Sequence, residues 1–446
     1  MIRITGFVCL AAALPAYVSA RSTGPPVQRT GATIDGGLNC TGCHRTFAPA
    51  NQDPRGSVAL EAVSYTPGSK QILKITVAHP DAKKWGFELT ARLASDPGKQ
   101  AGTFTVTDLI RVQCEGATDA PCNGKQEFAS HNRNSYGLGS NGRETFQVEW
   151  TPPAQDVGDI VFFFAGNAAN GDGTNQGDVI YTSKMVVRSA AGCDLPRPII
   201  SGVGNAASGS AGTAYNGLFT VYGSNFLPAG RSRVAQDFDI ANNRFPTQLE
   251  CLAVEVAGQR VPLTFANATQ INAAAPTVND DLTVEVRVIA NPGSANERRS
   301  EDVRVTHARQ HPGFFTFNGK SIAALSADLK SIIADPAVVA GARAAKAGEV
   351  ISLFLTGCGL TDPVYQAGEV VAGQARVVGS GPTVQIGGTT LAAADILYAG
   401  LTPGSISGLY QLNVTIPADA PAGDIPVTVK IGSATTQAGT TIPVVK

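Results

Sequence analysis

Along most of the chain, apolar and polar residues alternate at a period of two in runs of strand length. The runs are bounded by Pro, Gly, Asn or Asp, which favour turns. Between residues 57 and 188 the runs are QILKITVAHP, WGFELTARL, GTFTV, ETFQVEWTPP, DIVFFFAGNAAN and DVIYTSKMVVR. Such alternation is typical of strands with one buried face. It predicts one antiparallel β-sandwich at residues 57–190.

The second half of the chain contains an internal repeat. Four blocks recur in the same order, at residues 219–230 and 351–363, 254–263 and 384–393, 270–276 and 411–417, and 282–290 and 425–432. Matched blocks in one order indicate two copies of one folding unit. We therefore expect immunoglobulin-like sandwiches at residues 201–315 and 349–446, after a linker at residues 191–200. The predicted fold class is all-β, with three tandem β-sandwiches.

Composition supports this fold and narrows the function. The chain has 49 Gly and 27 Pro but only 2 Met and 2 Trp, and 34 Lys and Arg residues balance 35 Asp and Glu residues. A balanced charge argues against nucleic acid as a partner. The sequence has no GxSxG, HExxH or phosphate-loop motif, so no catalytic residue is predicted.

The first twenty residues have the features of an export signal. Arg3 precedes the apolar run FVCLAAALPAYV, and Val18, Ser19 and Ala20 match the small-residue pattern of a cleavage site. We expect residues 1–20 to be removed and the protein to be extracellular, periplasmic or on the cell surface. No later segment has the roughly 18 consecutive apolar residues of a membrane span, so no transmembrane segment is predicted.

One of the eight cysteines lies in the signal, and export permits the others to form disulfides. Cys114 and Cys122 flank a short loop that a disulfide could close. Cys193 and Cys251 could form a second bridge in the next region. Cys358 lies in the apolar segment FLTGCGL, where we expect it to be a small core residue.

A set of ordered segments carries a resemblance to a known family in the N-terminal half. These segments are CTGCH, YTPGSKQILKITV, WGFELTAR, SHN around His131, VEWTPP and FFFAGNAANGDGTNQGDVIYT. Residues 36–187 resemble the bacterial relatives of the reelin (reeler) domain, of the choice-of-anchor V type. The resemblance implies a reeler-like β-sandwich in an exported protein. The inserted segment CEGATDAPCNG departs from the family pattern.

The C-terminal half is similar to a second family. On segments that include ISGVGNAAS, ATQINAAAP, HPGFF and LFLTGCGLT, residues 198–445 resemble uncharacterised C-terminal domains of bacterial secreted proteins. YGSNF is similar to the TIG type of immunoglobulin-like fold. The resemblance makes residues 316–348 a long connection, although their Ala-rich composition allows a short helix. Neither family is associated with an established catalytic activity.

Cys40, Cys43 and His44 form the CxxCH motif of c-type haem attachment. Two thiols at this spacing can reach both vinyl groups, and the next residue can bind the iron. The flanks are richer in Gly and Pro than cytochrome helices, so a Cys40–Cys43 disulfide or a small metal site are the alternatives. His131 and His79 are the candidates for a sixth iron ligand, and a surface position is the alternative for each.

A second candidate site is a loop rich in oxygen donors. Asn167, Asn170, Asp172, Asn175 and Asp178 cluster among glycines, and such ligands suit calcium. The spacing differs from that of an EF-hand, and a solvated turn is the alternative because these are the ordinary loop residues.

Together these features predict an exported protein with one haem c and a role in electron transfer or redox sensing. Its partner would be a redox protein. The alternative is a non-enzymatic adhesion or matrix-binding protein of the cell surface, with its cysteines in disulfides and an extracellular ligand as partner.

Overall fold

The computed structural model of the protein describes residues 23–62, 64–136, 141–278, 282–379 and 381–446. The predicted signal peptide, residues 1–20, lies outside the described residues. Within them the elements are β-strands and four short 3₁₀ turns, at Thr33–Asp35, Cys40–Gly42, Asp237–Asp239 and Ala393–Asp395, with no α-helix. The prediction of an all-β chain is confirmed. No helix in the described part of the chain is long and apolar enough to cross a membrane.

The chain divides into two compact units, Met1–Ala190 and Ala191–Lys446. The strands of the N-terminal unit are β1 (Ser57–Glu61), β2 (Gln71–Ala78), β3 (Lys84–Leu93), β4 (Thr103–Phe104), β5 (Ile110–Cys114), β6 (Thr118–Asp119), β7 (Glu127–His131), β8 (Arg143–Thr151), β9 (Ile160–Ala169) and β10 (Val179–Val187). They form two antiparallel sheets, ordered β1-β2-β8-β4 and β10-β9-β3-β7-β5-β6.

The two sheets of this unit enclose one apolar core. Leu73, Ile75 and Val77 of β2 lie in the same core as Phe162 and Phe164 of β9. In β2 the alternate residues are exposed or half-buried, which is the one-sided burial that a period of two predicts. Strand β3 differs because eight of its ten residues are buried, so both of its faces are covered. The second cover comes from residues 23–51, the covering segment, whose Arg29 and Asp35 contact Glu88 and Arg92 of β3. The candidate site lies beneath this segment.

The first sandwich of the C-terminal unit has the strands β11 (Ile199–Asn205), β12 (Thr213–Ala214), β13 (Leu218–Ser224), β14 (Ser232–Val234), β15 (Leu252–Val256), β16 (Gln259–Arg260), β17 (Leu263–Asn267), β18 (Gln270–Ala274), β19 (Leu282–Ala290), β20 (Arg298–Arg299) and β21 (Val303–Ala308). Its sheets have the orders β11-β13-β18-β17-β14 and β12-β21-β19-β15-β16, with β20 beside β19. One cluster of buried residues from both sheets forms the core.

The second sandwich has the strands β22 (Gly313–Phe314), β23 (Ala324–Ser326), β24 (Ile332–Ile333), β25 (Ala345–Lys346), β26 (Val350–Thr356), β27 (Thr361–Asp362), β28 (Ala375–Val377), β29 (Thr383–Ile386), β30 (Thr389–Thr390), β31 (Ile396–Leu401), β32 (Tyr410–Thr415), β33 (Gly423–Ile431), β34 (Ala434–Thr435) and β35 (Thr441–Val445). Its sheets are ordered β24-β23-β26-β32-β31-β28-β27, with β22 beside β26, and β25-β35-β33-β29-β30, with β34 beside β33.

The repeated sequence blocks occupy equivalent strands of the two sandwiches. The series β13-β18-β17 in the first corresponds to β26-β32-β31 in the second, and β21-β19-β15-β16 corresponds to β35-β33-β29-β30. Each sandwich also has one parallel pair, β12 with β21 and β25 with β35. The repeat therefore reflects a shared strand order. The Ala-rich stretch before β26 contains the short strands β23, β24 and β25 and no helix.

Both predicted disulfides are confirmed. Cys114–Cys122 closes the loop after β5, and Cys193–Cys251 joins the start of the C-terminal unit to the residue before β15. Cys358 is free and buried in the core of the second sandwich, which is the packing role that the sequence predicts.

Candidate functional site

A cavity of about 330 Å³ opens between the covering segment and the outer face of the six-stranded sheet. Three groups of residues surround it: Pro25, Pro26, Arg29, Asn39, Cys40, Cys43 and His44 of the covering segment, Lys84, Trp85, Gly86, Phe87, His131 and Tyr136 of β3, β7 and the following turn, and Asn167, Ala169, Gly171, Gly173, Thr174 and Asp178 of β9 and its loop. The cavity therefore joins the CxxCH motif to His131, which lies far from it in sequence.

The CxxCH motif forms a single tight turn. The Asn39 side chain caps it by accepting a hydrogen bond from Thr41 N at 2.9 Å. The backbone N–H groups of Cys43 and His44 both donate to the Cys40 carbonyl, at 3.1 and 3.0 Å. This geometry places both thiols and the imidazole on one turn beside the cavity. Both thiols are free.

One carboxylate orients the His44 ring. His44 Nδ1 lies 2.7 Å from Asp178 Oδ2, and the Asp178 side chain is only 1% exposed. The other carboxylate oxygen accepts from Asn170 N at 3.1 Å. Because an ionised carboxylate only accepts hydrogen bonds, Nδ1 is the donor in this contact, and in the neutral ring this tautomer leaves the lone pair on Nε2. Nε2 has Asn167 Nδ2 at 3.5 Å.

His131 forms part of the opposite wall, and burial lowers its pKa to about 4. Its Nδ1 lies 3.0 Å from Phe87 N and 3.2 Å from Phe87 O. These contacts require opposite tautomers, because Nδ1 accepts from the amide but donates to the carbonyl. Only the second tautomer leaves Nε2 able to bind a metal. The ring fits because residue 86 is Gly, since a Cβ there would lie 2.6 Å from His131 Cε1.

Beneath the covering segment, Cys40 has a buried acidic neighbour. Cys40 Sγ donates to the Arg29 carbonyl at 3.9 Å, and Arg29 N donates to Glu88 Oε2. Burial of the sulfur, with a further effect of Glu88, raises the pKa of the Cys40 thiol to about 12. Burial also raises the pKa of Glu88 to about 8. The Cys40 thiol is therefore neutral at neutral pH.

His79, the other candidate sixth ligand, lies outside the cavity lining. Its Nε2 is 3.1 Å from Asp53 Oδ2, and its Nδ1 accepts from Asp81 N at 3.2 Å. Arg55 hydrogen-bonds Asp53 and holds the pKa of that carboxyl well below its usual range. Both ring nitrogens of His79 thus have partners within a separate surface network.

The predicted calcium loop is held by its own contacts and by contacts to the CxxCH turn. Asp172 accepts from Thr174 N at 2.7 Å and from Asn170 Nδ2 at 3.1 Å. Asn175 Nδ2 donates to the Cys43 carbonyl at 2.8 Å, and Asp178 binds His44. The described part of the chain contains no group of three or more His, Cys, Asp or Glu side chains that could hold a metal ion. The calcium site stays a prediction.

The roles of Asp178, Gly86 and Glu88 could not be predicted from the sequence. The predicted calcium ligands include Asp178, whereas the structure pairs this residue with His44 across a separation of 134 residues. No local spacing signals such a contact.

Comparisons with known proteins agree with the fold of the N-terminal unit. The family model of the Reeler domain matches residues 40–167, which confirms the resemblance to reeler domains. That match covers only part of the chain, and the choice-of-anchor V type and the secreted C-terminal family stay predictions. No curated protein matches the chain in sequence.

Among solved structures, the chain is similar to the reeler domain of human F-spondin, with 18% identity, a TM-score of 0.20 and coverage of 30% of this chain and 92% of that chain. It is also similar to SGBP-B of the Bacteroides ovatus mixed-linkage glucan utilization locus, in complex with a heptasaccharide, at 12% identity and a TM-score of 0.24 over 89% of this chain and 71% of that one. A third is the C-terminal domain of Streptococcus pyogenes AspA, at 9% identity and a TM-score of 0.20 over 57% of this chain and 99% of that one.

Proposed function

We propose that the cavity of the N-terminal unit holds one covalently attached c-type haem, and that the protein serves electron transfer or redox sensing outside the cytoplasm. The observation that carries this proposal is the convergence of two free thiols, His44 and His131 on one cavity. The two disulfides fit an oxidising compartment. A haem bound there would supply one-electron exchange.

The donor set fits this group. Cys40 and Cys43 would hold the group through thioether bonds, because each S–H can add to a vinyl double bond with no leaving group. His44 would bind the iron through Nε2 in the neutral tautomer whose Nδ1–H donates to Asp178. His131 could supply a second neutral imidazole in the tautomer that donates to the Phe87 carbonyl.

The remaining wall suits a ligand with an apolar face and negative charge. Trp85 and Phe87 lie in the core beneath the cavity and are 2% and 1% exposed, so they exclude water from that side. Arg29 and Lys84 bring two positive charges to the lining, whereas its carboxylate, Asp178, is engaged by His44. The two propionates of a haem match that charge.

The free state of both thiols supports a haem over a Cys40–Cys43 disulfide. Cys40 and Cys43 are unpaired, so both S–H groups would be available for attachment. Outside the signal, the cysteines that do pair are Cys114, Cys122, Cys193 and Cys251.

A double substitution tests the haem proposal. The chain is produced in a host with c-type maturation machinery, as wild type and as Cys40→Ser/Cys43→Ser. We expect the wild type to show a Soret band and the mass of one added haem, and the double variant to lose both. Cys358→Ala is the matched control, because it removes a free thiol that belongs to the other unit and does not line the cavity, so both signals should stay unchanged. Wild-type protein without a Soret band contradicts the proposal.

A second candidate function is extracellular adhesion or matrix binding. It is supported by the family match, since the reeler domain is an extracellular domain, and by the two disulfide-containing units with no catalytic motif. On this proposal the purified protein is colourless, and its partner is an extracellular ligand. A mass two hydrogens below that of the chain with free Cys40 and Cys43 would support it against the haem proposal.

A further inference from the structure

Asp178 is a buried carboxylate whose side-chain hydrogen-bond partner in the described part of the chain is His44. Its side chain is 1% exposed, and one oxygen lies 2.7 Å from His44 Nδ1. The other oxygen accepts from the Asn170 amide, which fixes the plane of the carboxylate. No Lys or Arg of the described residues forms a salt bridge with it. Its carboxylate is therefore directed at one imidazole.

We propose that Asp178 is a positioning residue that selects the Nδ1–H tautomer of His44 and lowers the reduction potential of the bound haem. This inference rests on the proposed function of the same cavity. It names a role for Asp178 that differs from the calcium ligation predicted from the sequence.

Two physical effects act in the same direction. A carboxylate that accepts the Nδ1 proton makes the imidazole a more basic ligand at Nε2. A buried negative charge also favours the oxidised state of a nearby centre, because that state is more positive by one charge. Both effects disfavour the uptake of one electron. Removing the charge while keeping the side-chain shape should raise the potential.

The first experiment measures the reduction potential of the haem-loaded full chain by redox titration with dithionite, followed by absorbance. The measured step adds one electron from the titrant and changes no bond. For Asp178→Asn we expect the reduction equilibrium to shift about tenfold toward the reduced form, which is about 59 mV for one electron. Asp96→Asn is the control, because it removes the same charge from an exposed residue of the same unit that pairs with Lys99. Equal potentials for the two variants would overturn the proposal.

A second experiment needs no haem. In the full-length Cys40→Ser/Cys43→Ser chain, ¹⁵N NMR of the imidazoles reports which ring nitrogen of His44 carries the proton. We expect the Nδ1–H form with Asp178 present and a shift of tenfold or more toward the Nε2–H form in Asp178→Asn. A predominant Nε2–H form with Asp178 present would contradict the inference. If the wild type binds no haem, the proposed function is wrong, but the NMR measurement still shows which ring nitrogen of His44 carries the proton.

Discussion

Strands β3 and β33 lie in different units and show opposite patterns of burial. In β33 exposed and buried positions alternate, because one face packs on its core and the other meets solvent. In β3 eight consecutive residues are buried, because residues 23–51 form a second layer over the outer face. Glu88 and Arg92, which alternation would place in solvent, are 1% and 2% exposed. The covering segment thus turns a sheet face that would otherwise meet solvent into one wall of the cavity.

The two units also differ in how far their ion pairs are exposed to solvent. Under the covering segment, Arg92 pairs with Asp35 at 2.6 Å, with side chains 2% and 7% exposed. On the first sandwich of the C-terminal unit, Arg287 pairs with Asp302 at the same distance, but both side chains are 32% exposed. Desolvation makes the first pair costly to break and solvent makes the second nearly neutral. This contrast leads to three predictions about stability.

The largest expected effect is a pH dependence that Glu88 gives to the N-terminal unit. Its pKa of about 8 in the folded chain lies above the ordinary value of 4.5, so the folded state holds a proton that the unfolded state releases. The resulting stability is complete below about pH 4.5 and is lost as the pH rises to about 8, on the order of 5 kcal/mol. Glu88→Gln stays neutral and should lack this loss.

The measurement is urea unfolding followed by tryptophan fluorescence, since Trp85 and Trp150 both lie in the N-terminal unit. Glu61→Gln is the control, because this carboxyl is exposed. His131 has an opposing effect, because its lowered pKa costs stability as the pH falls from about 6.5 to 4. The Glu88 contribution is therefore the difference between the two variants. Parallel pH profiles for them would contradict the burial of Glu88.

The next effect concerns the two ion pairs. Asp35→Asn leaves the Arg92 charge buried without its counter-ion, so we expect a loss of roughly 3–5 kcal/mol and release of the covering segment. Asp302→Asn removes one end of the exposed pair and should cost at most about 1 kcal/mol. Urea unfolding followed by tryptophan fluorescence measures the first, and hydrogen exchange of β19 measures the second. Similar losses in both units would mean that the cover does not exclude water.

The smallest difference is expected between the two disulfides. Cys193–Cys251 spans 58 residues and Cys114–Cys122 spans 8. Chain entropy predicts about 4 kcal/mol for the longer loop and about 2.5 kcal/mol for the shorter one. Replacing each pair with Ala, and following exchange of β15 and fluorescence of the N-terminal unit respectively, measures the two losses. A larger loss for the shorter loop would show that local packing outweighs loop length.

Much of the fold follows from short-range pattern. Period-two alternation predicted the strands. The four repeated blocks predicted two sandwiches with the same strand order, because blocks repeated in one order form equivalent strands. The CxxCH motif could be singled out because it has a local signature. His131 could be singled out with His79 because they are the other histidines of the N-terminal half.

The covering segment could not be predicted, because its Gly- and Pro-rich sequence has no periodicity. In addition, the sequence WGFELTARL of β3 looks like a strand with one solvated face. The pairing of His44 with Asp178 is likewise a contact between distant loops. It arises from the path of residues 23–51 over β3 and β9, which no motif encodes.

The central claim is that Cys40, Cys43 and His44 hold a haem in the N-terminal cavity. The most direct test is the absorption spectrum and intact mass of the protein purified from its natural source. The account predicts a Soret band that shifts on reduction and a mass increase of one haem on the mature chain. A colourless protein whose mass shows Cys40 joined to Cys43 would contradict it.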